Sequence, residues 1–355
     1  MNTALPATHF AISSRLPVPS RRSVVQWMAV AALGCAAVGS VCAAAATPII
    51  IQFSHVVKPD TAKGKAALRF KQLAEARTGG RVRVEVYPDS QLYKDREELD
   101  ALRLGAVQML APSLSKLAGL GGDDFLALDL PFLFKDRAAY RAVVDGPAGA
   151  ALLKKLEPRG IKGLTFWDNG FKVFTANRPL QTVADFKGLR IRVQASKVLV
   201  AQMRALGSVA PVSPLIDVRA DLQAGKLDGQ ENTPTNIQTQ GLHEVQSHLT
   251  ISNHGYLAYA VIVNQLFWEK LPADIRANLE SAMRDATSYE NSIAEADNLK
   301  ALDRLTSGGQ LITHTITPQE SAQWRTAMQP VYREARQWIS PEMLAALPLP
   351  QGAPP

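Results

Sequence analysis

The sequence predicts an α/β chain folded as two lobes with one long helix leaning across both. Three observations carry this. The 355 residues exceed one minimal core and suffice for about two ordinary domains. Short β-branched runs alternate with amphipathic stretches, the grammar of sheets covered by helices. Near the C-terminal end, residues 272–305 hold a helical pattern with no glycine and no proline after Pro272, about 50 Å of helix at 1.5 Å per residue and longer than one small lobe is wide.

The elements follow in order. Ile49-Ile50-Ile51-Gln52-Phe53 is read as a buried strand. Residues 61–77 put Ala66, Ala67, Phe70, Leu73 and Ala74 on one helical stripe, and Gly79-Gly80 stops that helix. Residues 81–87 alternate with period two, a strand with one wet face. A helix is expected over 95–104 and a strand over 107–110, giving parallel sheet under covering helices. The middle repeats this grammar, with strands at 163–167, 171–175 and 189–193, helices at 196–206 and 218–224, and a strand at 259–263. Along 272–305 the stripe is Ile275, Leu279, Met283, Ala286, Ile293, Ala296, Leu299 and Leu302. The last residues, 348–355, hold four prolines and are expected to be loose.

The first 46 residues read as an address. Arg21-Arg22 precede an alanine-rich apolar run over 24–46 that ends in small residues, the pattern of a cleaved secretory signal, and Ser20-Arg21-Arg22 is compatible with either the general or the twin-arginine route. Of the 39 basic and 32 acidic residues, this segment holds three arginines and no acid. The rest balances 36 bases against 32 acids, or +4, which gives little support to nucleic-acid binding. Both cysteines, Cys35 and Cys42, also lie in it. The remaining chain therefore offers no disulfide, cysteine metal site or cysteine nucleophile.

Catalytic signatures are missing. Gly119-Leu120-Gly121-Gly122 lacks the spacing of a dinucleotide loop, and neither a phosphate loop nor a nucleophile elbow occurs. His243 and His248 stand five apart, so on a helix they diverge by about 140° and cannot form the i, i+4 pair of a zinc protease. No metal or other cofactor is expected, and the weight shifts from catalysis to binding.

Polar groups instead collect at the ends of the middle strands. The segments are Trp167-Asp168-Asn169-Gly170-Phe171-Lys172, Gly188-Leu189-Arg190-Ile191-Arg192-Val193-Gln194 and Asp228-Gly229-Gln230-Glu231-Asn232-Thr233-Pro234. Strand alternation puts Arg190 and Arg192 on one face. Ligands of open α/β sheets bind at strand ends, and an arginine there can grip a carboxylate through two charged hydrogen bonds. From spacing alone, a solvated face followed by a turn is the more ordinary reading, since charged strand ends are common.

These segments resemble the DctP dicarboxylate-binding type of solute-binding proteins that serve TRAP (tripartite ATP-independent periplasmic) transporters. So do Phe53-Ser54-His55-Val56-Val57, the stretch from Tyr87-Pro88-Asp89 to Tyr93-Lys94-Asp95, that from Leu104-Gly105-Ala106 to Pro112-Ser113-Leu114, and Ser252-Asn253-His254-Gly255-Tyr256. The resemblance covers most of 49–340. It implies a two-lobed periplasmic binding protein fold with a hinge, lobe one from 48–169 and about 258–297, lobe two from 170–257 and about 298–345. It also implies a periplasmic, monomeric, non-enzymatic receptor that closes on a small dicarboxylate of the succinate, malate or fumarate type and delivers it to membrane permease subunits. Arg192 falls on the family's carboxylate-binding arginine, Asn232 on its amide partner and Lys172 on a second cationic position. Ser113, His55, Tyr256 and Arg96 fall on or near pocket-lining positions. Two departures stand out: Arg219 where an aromatic is common, and Thr233 where a proline is usual. A monocarboxylate or keto acid is the main alternative ligand, and a secreted enzyme acting on an organic acid the rival of another class.

Overall fold

The computed structural model describes residues 47–120 and 122–349; the signal-like segment and the end of the proline-rich tail lie outside the described residues. Among the described residues, ten strands form two five-stranded sheets. The first is ordered β2-β1-β3-β9-β4, with β1 (Ile49–Ser54), β2 (Val82–Tyr87), β3 (Met109–Leu110), β4 (Ile161–Phe171) and β9 (Tyr256–Asn264). The second is ordered β10-β8-β5-β7-β6, with β5 (Val173–Ala176), β6 (Ile191–Arg192), β7 (Gly229–Asn232), β8 (His248–Ile251) and β10 (Ile312–Thr315). The helices are α1 (Ala62–Arg77), α2 (Asp95–Leu104), α3 (Arg137–Val144), α4 (Pro147–Lys154), α5 (Lys197–Ala205), α6 (Leu215–Gln223), α7 (Pro234–Thr239), α8 (Gln265–Lys270), α9 (Ala273–Ser307), α10 (Pro318–Ala335) and α11 (Pro341–Ala345).

The sheets are mixed and not parallel. In the first, β1 runs parallel to β2 and β3, but β9 is antiparallel to both β3 and β4. In the second, β5 is antiparallel to β7 and β8. The reason is the connection between sheets. The expected strands at 163–167 and 171–175 are one path, β4 running into β5 with only Lys172 between them. The chain returns from β8 into β9, antiparallel to the outgoing path in both sheets. The Lys172 N–H donates to the Gly255 carbonyl at 2.8 Å in the middle. Strand alternation in the sequence does not reveal that two of these strands change sheets.

Helix α9 is the second link. Its first half buries Ile275, Leu279, Ala282, Met283 and Ala286 in the core of the first sheet, and Leu305 joins the core under the second. The expected stripe holds to Ala286 and then departs. Ala296 and Leu299 are exposed, and the buried positions are Glu290, Ala294, Asn298 and Ala301. These polar groups bind β4 where it nears the crossover. A Glu290 Oε2 accepts the Asp168 N–H at 2.9 Å, and Asn298 Nδ2 donates to Asn169 Oδ1 at 3.0 Å. A Cβ at Gly170 would stand 2.8 Å from Asn298 Nδ2 and would have to push that amide aside. At the C-terminal end, Leu347 is buried and Leu349 packs against the same core, so the part of the tail described is docked.

Candidate functional site

Helix α1 begins at Thr61, whose hydroxyl caps the Gly64 N–H. Its inner stripe runs Ala66, Ala67, Phe70, Ala74, and Lys63 sits one turn earlier on the same stripe. A lysine on an apolar stripe is buried with it. Its ammonium donates to the Ala111 carbonyl at 2.9 Å and stands 3.8 Å from the centroid of the Tyr259 ring, a cation–π contact. From the 3₁₀ turn Leu114–Leu120, Lys116 pairs with Asp95 at the start of α2, and the other Asp95 oxygen accepts the Leu215 N–H at 2.7 Å. From the second sheet, Arg192 on β6 is 1% exposed and donates through Nε and Nη2 to the Ser213 carbonyl at 3.0 and 2.6 Å.

These groups line one narrow pocket of about 20 Å³, together with Val56, Val57, Gln194, Leu215, Asn232, Asn236, Leu257 and Tyr259. Val56, Val57 and Leu215 form a small apolar cluster. The polar lining is donor-rich. Asn232 uses its carbonyl internally, accepting the Thr233 N–H at 3.0 Å and Asn236 Nδ2 at 2.9 Å. That leaves its amide N–H groups as what it can present to a ligand. Three cations, Lys63, Lys116 and Arg192, face one paired carboxylate, Asp95.

Burial in such company moves the titrations in opposite directions. Burial, helped by the charge of Lys116, drops the Lys63 ammonium to about 7. Burial alone would raise Asp95, but Lys116, Arg192 and the Leu215 N–H hold it at about 2. Burial lowers the Arg192 guanidinium, against the pull of Asp95 and Glu231. A pocket in which cationic groups are strained by desolvation gains most from an incoming anion.

The expected site residues separate into groups. Arg192 and Asn232 share the pocket. Ser113 donates to Gln194, joining the chain after β3 to the chain after β6. His55 is buried beside Phe53, and burial and Lys63 push its imidazole down to about 3, so it is neutral. Lys172 does not line the pocket: buried at the crossover, it pairs with Glu231 Oε2 at 2.5 Å, with His254 Nε2 3.7 Å from the same oxygen. Strand alternation on β7 explains the split, since Asn232 and Glu231 face opposite ways. Tyr256 stacks on Tyr140 at 4.4 Å and lines a different, larger cavity of about 160 Å³. The charged lining there is Arg137 and Glu295, and Arg137 is already committed to Asp168 at 2.6 Å, so this cavity has little to offer an acid. Arg96 is exposed on α2 and outside the pocket. Arg219 pairs with Glu244 at 2.8 Å and does not reach the pocket either, while Thr233 sits at the N-terminal boundary of α7 without a side-chain cap.

Lys63, Lys116, Asp95 and Tyr259 were not expected. A signal existed for Lys63 in its place on the apolar stripe of α1. The other three needed the packing. Among the described residues no cluster of three or more His, Cys, Asp or Glu could hold a metal, and no helix is long and apolar enough to cross a membrane.

The sequence profile of bacterial extracellular solute-binding protein family 7, DctP, matches residues 53–337. The chain belongs to this family of TRAP solute-binding proteins. It is 55% identical to the C4-dicarboxylate-binding periplasmic protein DctP of Rhodobacter capsulatus over 304 residues, 86% of this chain and 91% of that protein. A TRAP periplasmic solute-binding protein of Shewanella oneidensis, solved with bound succinate, superposes with a TM-score of 0.83 at 41% identity, covering 84% of this chain and 98% of that one. Another from Pseudomonas aeruginosa, with bound L-malate, gives 0.78 at 41% identity, covering 81% and 100%. The two-lobed family architecture and the long helix of this chain agree with that membership.

Proposed function

We propose that this protein is the extracytoplasmic receptor of a TRAP transporter, that it captures a small C4-dicarboxylate such as succinate or malate between its two lobes, and that it hands the acid unchanged to a membrane permease. The observation that carries the reading is the pocket with buried Arg192 and Asn232 on one side and Lys63 and Lys116 on the other. A diacid presents a carboxylate to each side. Each charge-assisted bond contributes about 1.5–3 kcal/mol, so three or four of them reach micromolar affinity, about −8 kcal/mol, after the cost of ordering. The 55% identical relative is named for C4-dicarboxylate binding, and the two solved structures hold succinate and L-malate.

Closure follows from where the pocket walls come from. Lys63, Asp95 and Lys116 belong to elements around the first sheet, and Arg192, Asn232 and Leu215 to elements around the second. The β4–β5 and β8–β9 strand pair and α9 would serve as hinge. A ligand held by both walls favours the closed arrangement by the difference in its affinity for the two states. The test is a thermal-shift and calorimetric screen of mono-, keto- and dicarboxylates at neutral pH. Succinate or malate is expected to stabilise the protein and to be recovered unaltered. Failure of every dicarboxylate to bind, or turnover of the bound acid, would sink the reading.

A further inference from the structure

Among the described side-chain oxygens that line the pocket, one has nothing to accept. Asp95 receives Lys116 and the Leu215 N–H, and Gln194 Oε1 receives the Ser113 hydroxyl. Asn232 Oδ1 receives the Thr233 N–H and Asn236 Nδ2, and the Tyr259 hydroxyl receives Asn169 Nδ2 at 2.5 Å. Asn236 lies on α7, lines the pocket and is 2% exposed, yet its Oδ1 is buried without a hydrogen-bond partner. A backbone group fixes which way this amide points. The Thr233 N–H can only donate, so the Asn232 atom 3.0 Å from it is the oxygen, and the Asn236 atom 2.9 Å from that oxygen is the NH₂ group. Burial raises the Tyr259 hydroxyl and the Asn236 amide draws it back down, the effect of an N–H and not of a carbonyl. The oxygen of Asn236 is thus the side of the amide still to be met, and a buried acceptor left unmet is costly.

Given the receptor reading above, we propose that Asn236 selects for a hydroxyl on the bound diacid, so that the preferred ligand is a 2-hydroxydicarboxylate of the malate type over succinate. The carboxylates of succinate are acceptors only, and neither end can answer Asn236 Oδ1. A hydroxyl on the carbon chain between them can donate to it. The rest of the lining keeps its part, with Lys63, Lys116, Arg192 and the Asn232 amide donating to the carboxylates. An ammonium substituent could also donate, but it would add a further cation to Lys63, Lys116 and Arg192 and be repelled. Asn236 belongs to the wall around the second sheet, with Arg192 and Asn232, and the spacing between that wall and Lys63 sets the room for the acid.

Calorimetric titration of the purified protein with succinate, both malate enantiomers and methylsuccinate reads the selection directly. The better malate enantiomer is expected to bind about threefold to tenfold more tightly than succinate. Methylsuccinate, which fills nearly the same space without a donor, is expected to bind no more tightly than succinate. In Asn236→Ala, checked for folding by circular dichroism, both acids lose affinity as Asn232 loses a neighbour, but the malate-to-succinate ratio is expected to fall to about one. A residue that only supported Asn232 would weaken both acids alike and leave that ratio unchanged. Should the variant not fold, the ligand series on the unmodified protein decides. Malate binding no more tightly than succinate overturns the proposal, as does methylsuccinate gaining as much as malate, or an unchanged ratio in a folded Asn236→Ala. If none of these diacids binds, it is the receptor reading that has failed, and this proposal falls with it.

Discussion

Two buried clusters of charge sit on either side of β7, and they differ in one respect. At the crossover, Lys172 faces Glu231, and Asp168 is met by Arg137 at 2.6 Å and Arg141 at 3.1 Å, while burial pushes the neighbouring Glu290 toward its neutral acid. In the pocket, Lys63, Lys116 and Arg192 face Asp95 alone as a paired acid, with Glu98 raised out of full ionisation. A buried charge set that closes on itself acts as structure. One that leaves cations in excess is, on the proposed function, completed by the ligand. This distinction, and not burial or residue type, separates Lys172 from Arg192.

The comparison can be broken at several points. Glu231→Gln leaves the Lys172 ammonium buried and unpaired, and should cost about 3–5 kcal/mol in a urea melt. Lys172→Met combined with Glu231→Leu removes both charges and should recover most of it; a double variant as unstable as the single one would show that the pair does more than balance charge. Arg192→Ala should cost succinate about 3 kcal/mol of binding, a hundredfold or more by calorimetry, while Lys172→Met retains the succinate-induced thermal shift. Loss of binding in a folded Lys172→Met would move that lysine into the site. Asn298→Ala removes the acceptor for the Thr235 N–H and hydroxyl at 3.0 and 2.7 Å and should destabilise by about 2 kcal/mol.

The neutral His55 makes a pH prediction. Its folded-state value lies below its unfolded one of 6.5, so the unfolded chain binds the extra proton and stability is lost as pH falls below 6.5. Between pH 6.5 and 5 that loss reaches up to about 2 kcal/mol, and His55→Asn should flatten this part of the profile. At the small end, Arg96→Ala changes an exposed side chain outside the pocket and should shift succinate affinity less than about twofold. A larger effect would bring α2's outer face into the binding reaction.

Local signals were enough to read much of this from residues. The period of α1, its Thr61 cap and its Gly79-Gly80 stop, the bounds of α2, and Arg192 with Asn232 beside it all follow from periodicity, capping and the strand-end arginine, or from resemblance. The second half of α9 was not legible. Glu290 and Asn298 look like solvent-facing residues until β4 supplies the backbone groups they bind. Lys172 reads as a site residue from the resemblance, and neither that nor its place after a strand reveals that Glu231 stands against it.

By itself, then, the sequence determined the α/β class, the long helix and the family, and pointed to Arg192 as the arginine proposed to grip the ligand, since each rests on neighbours close along the chain or on long ordered matches. Only the tertiary structure decided that two strands pass between sheets, that Lys63 and Lys116 come within reach of Arg192 from more than 70 residues away, and which buried charges cancel. Charge balance in a low-dielectric interior depends on distances through space, and those are set by packing that no local pattern encodes.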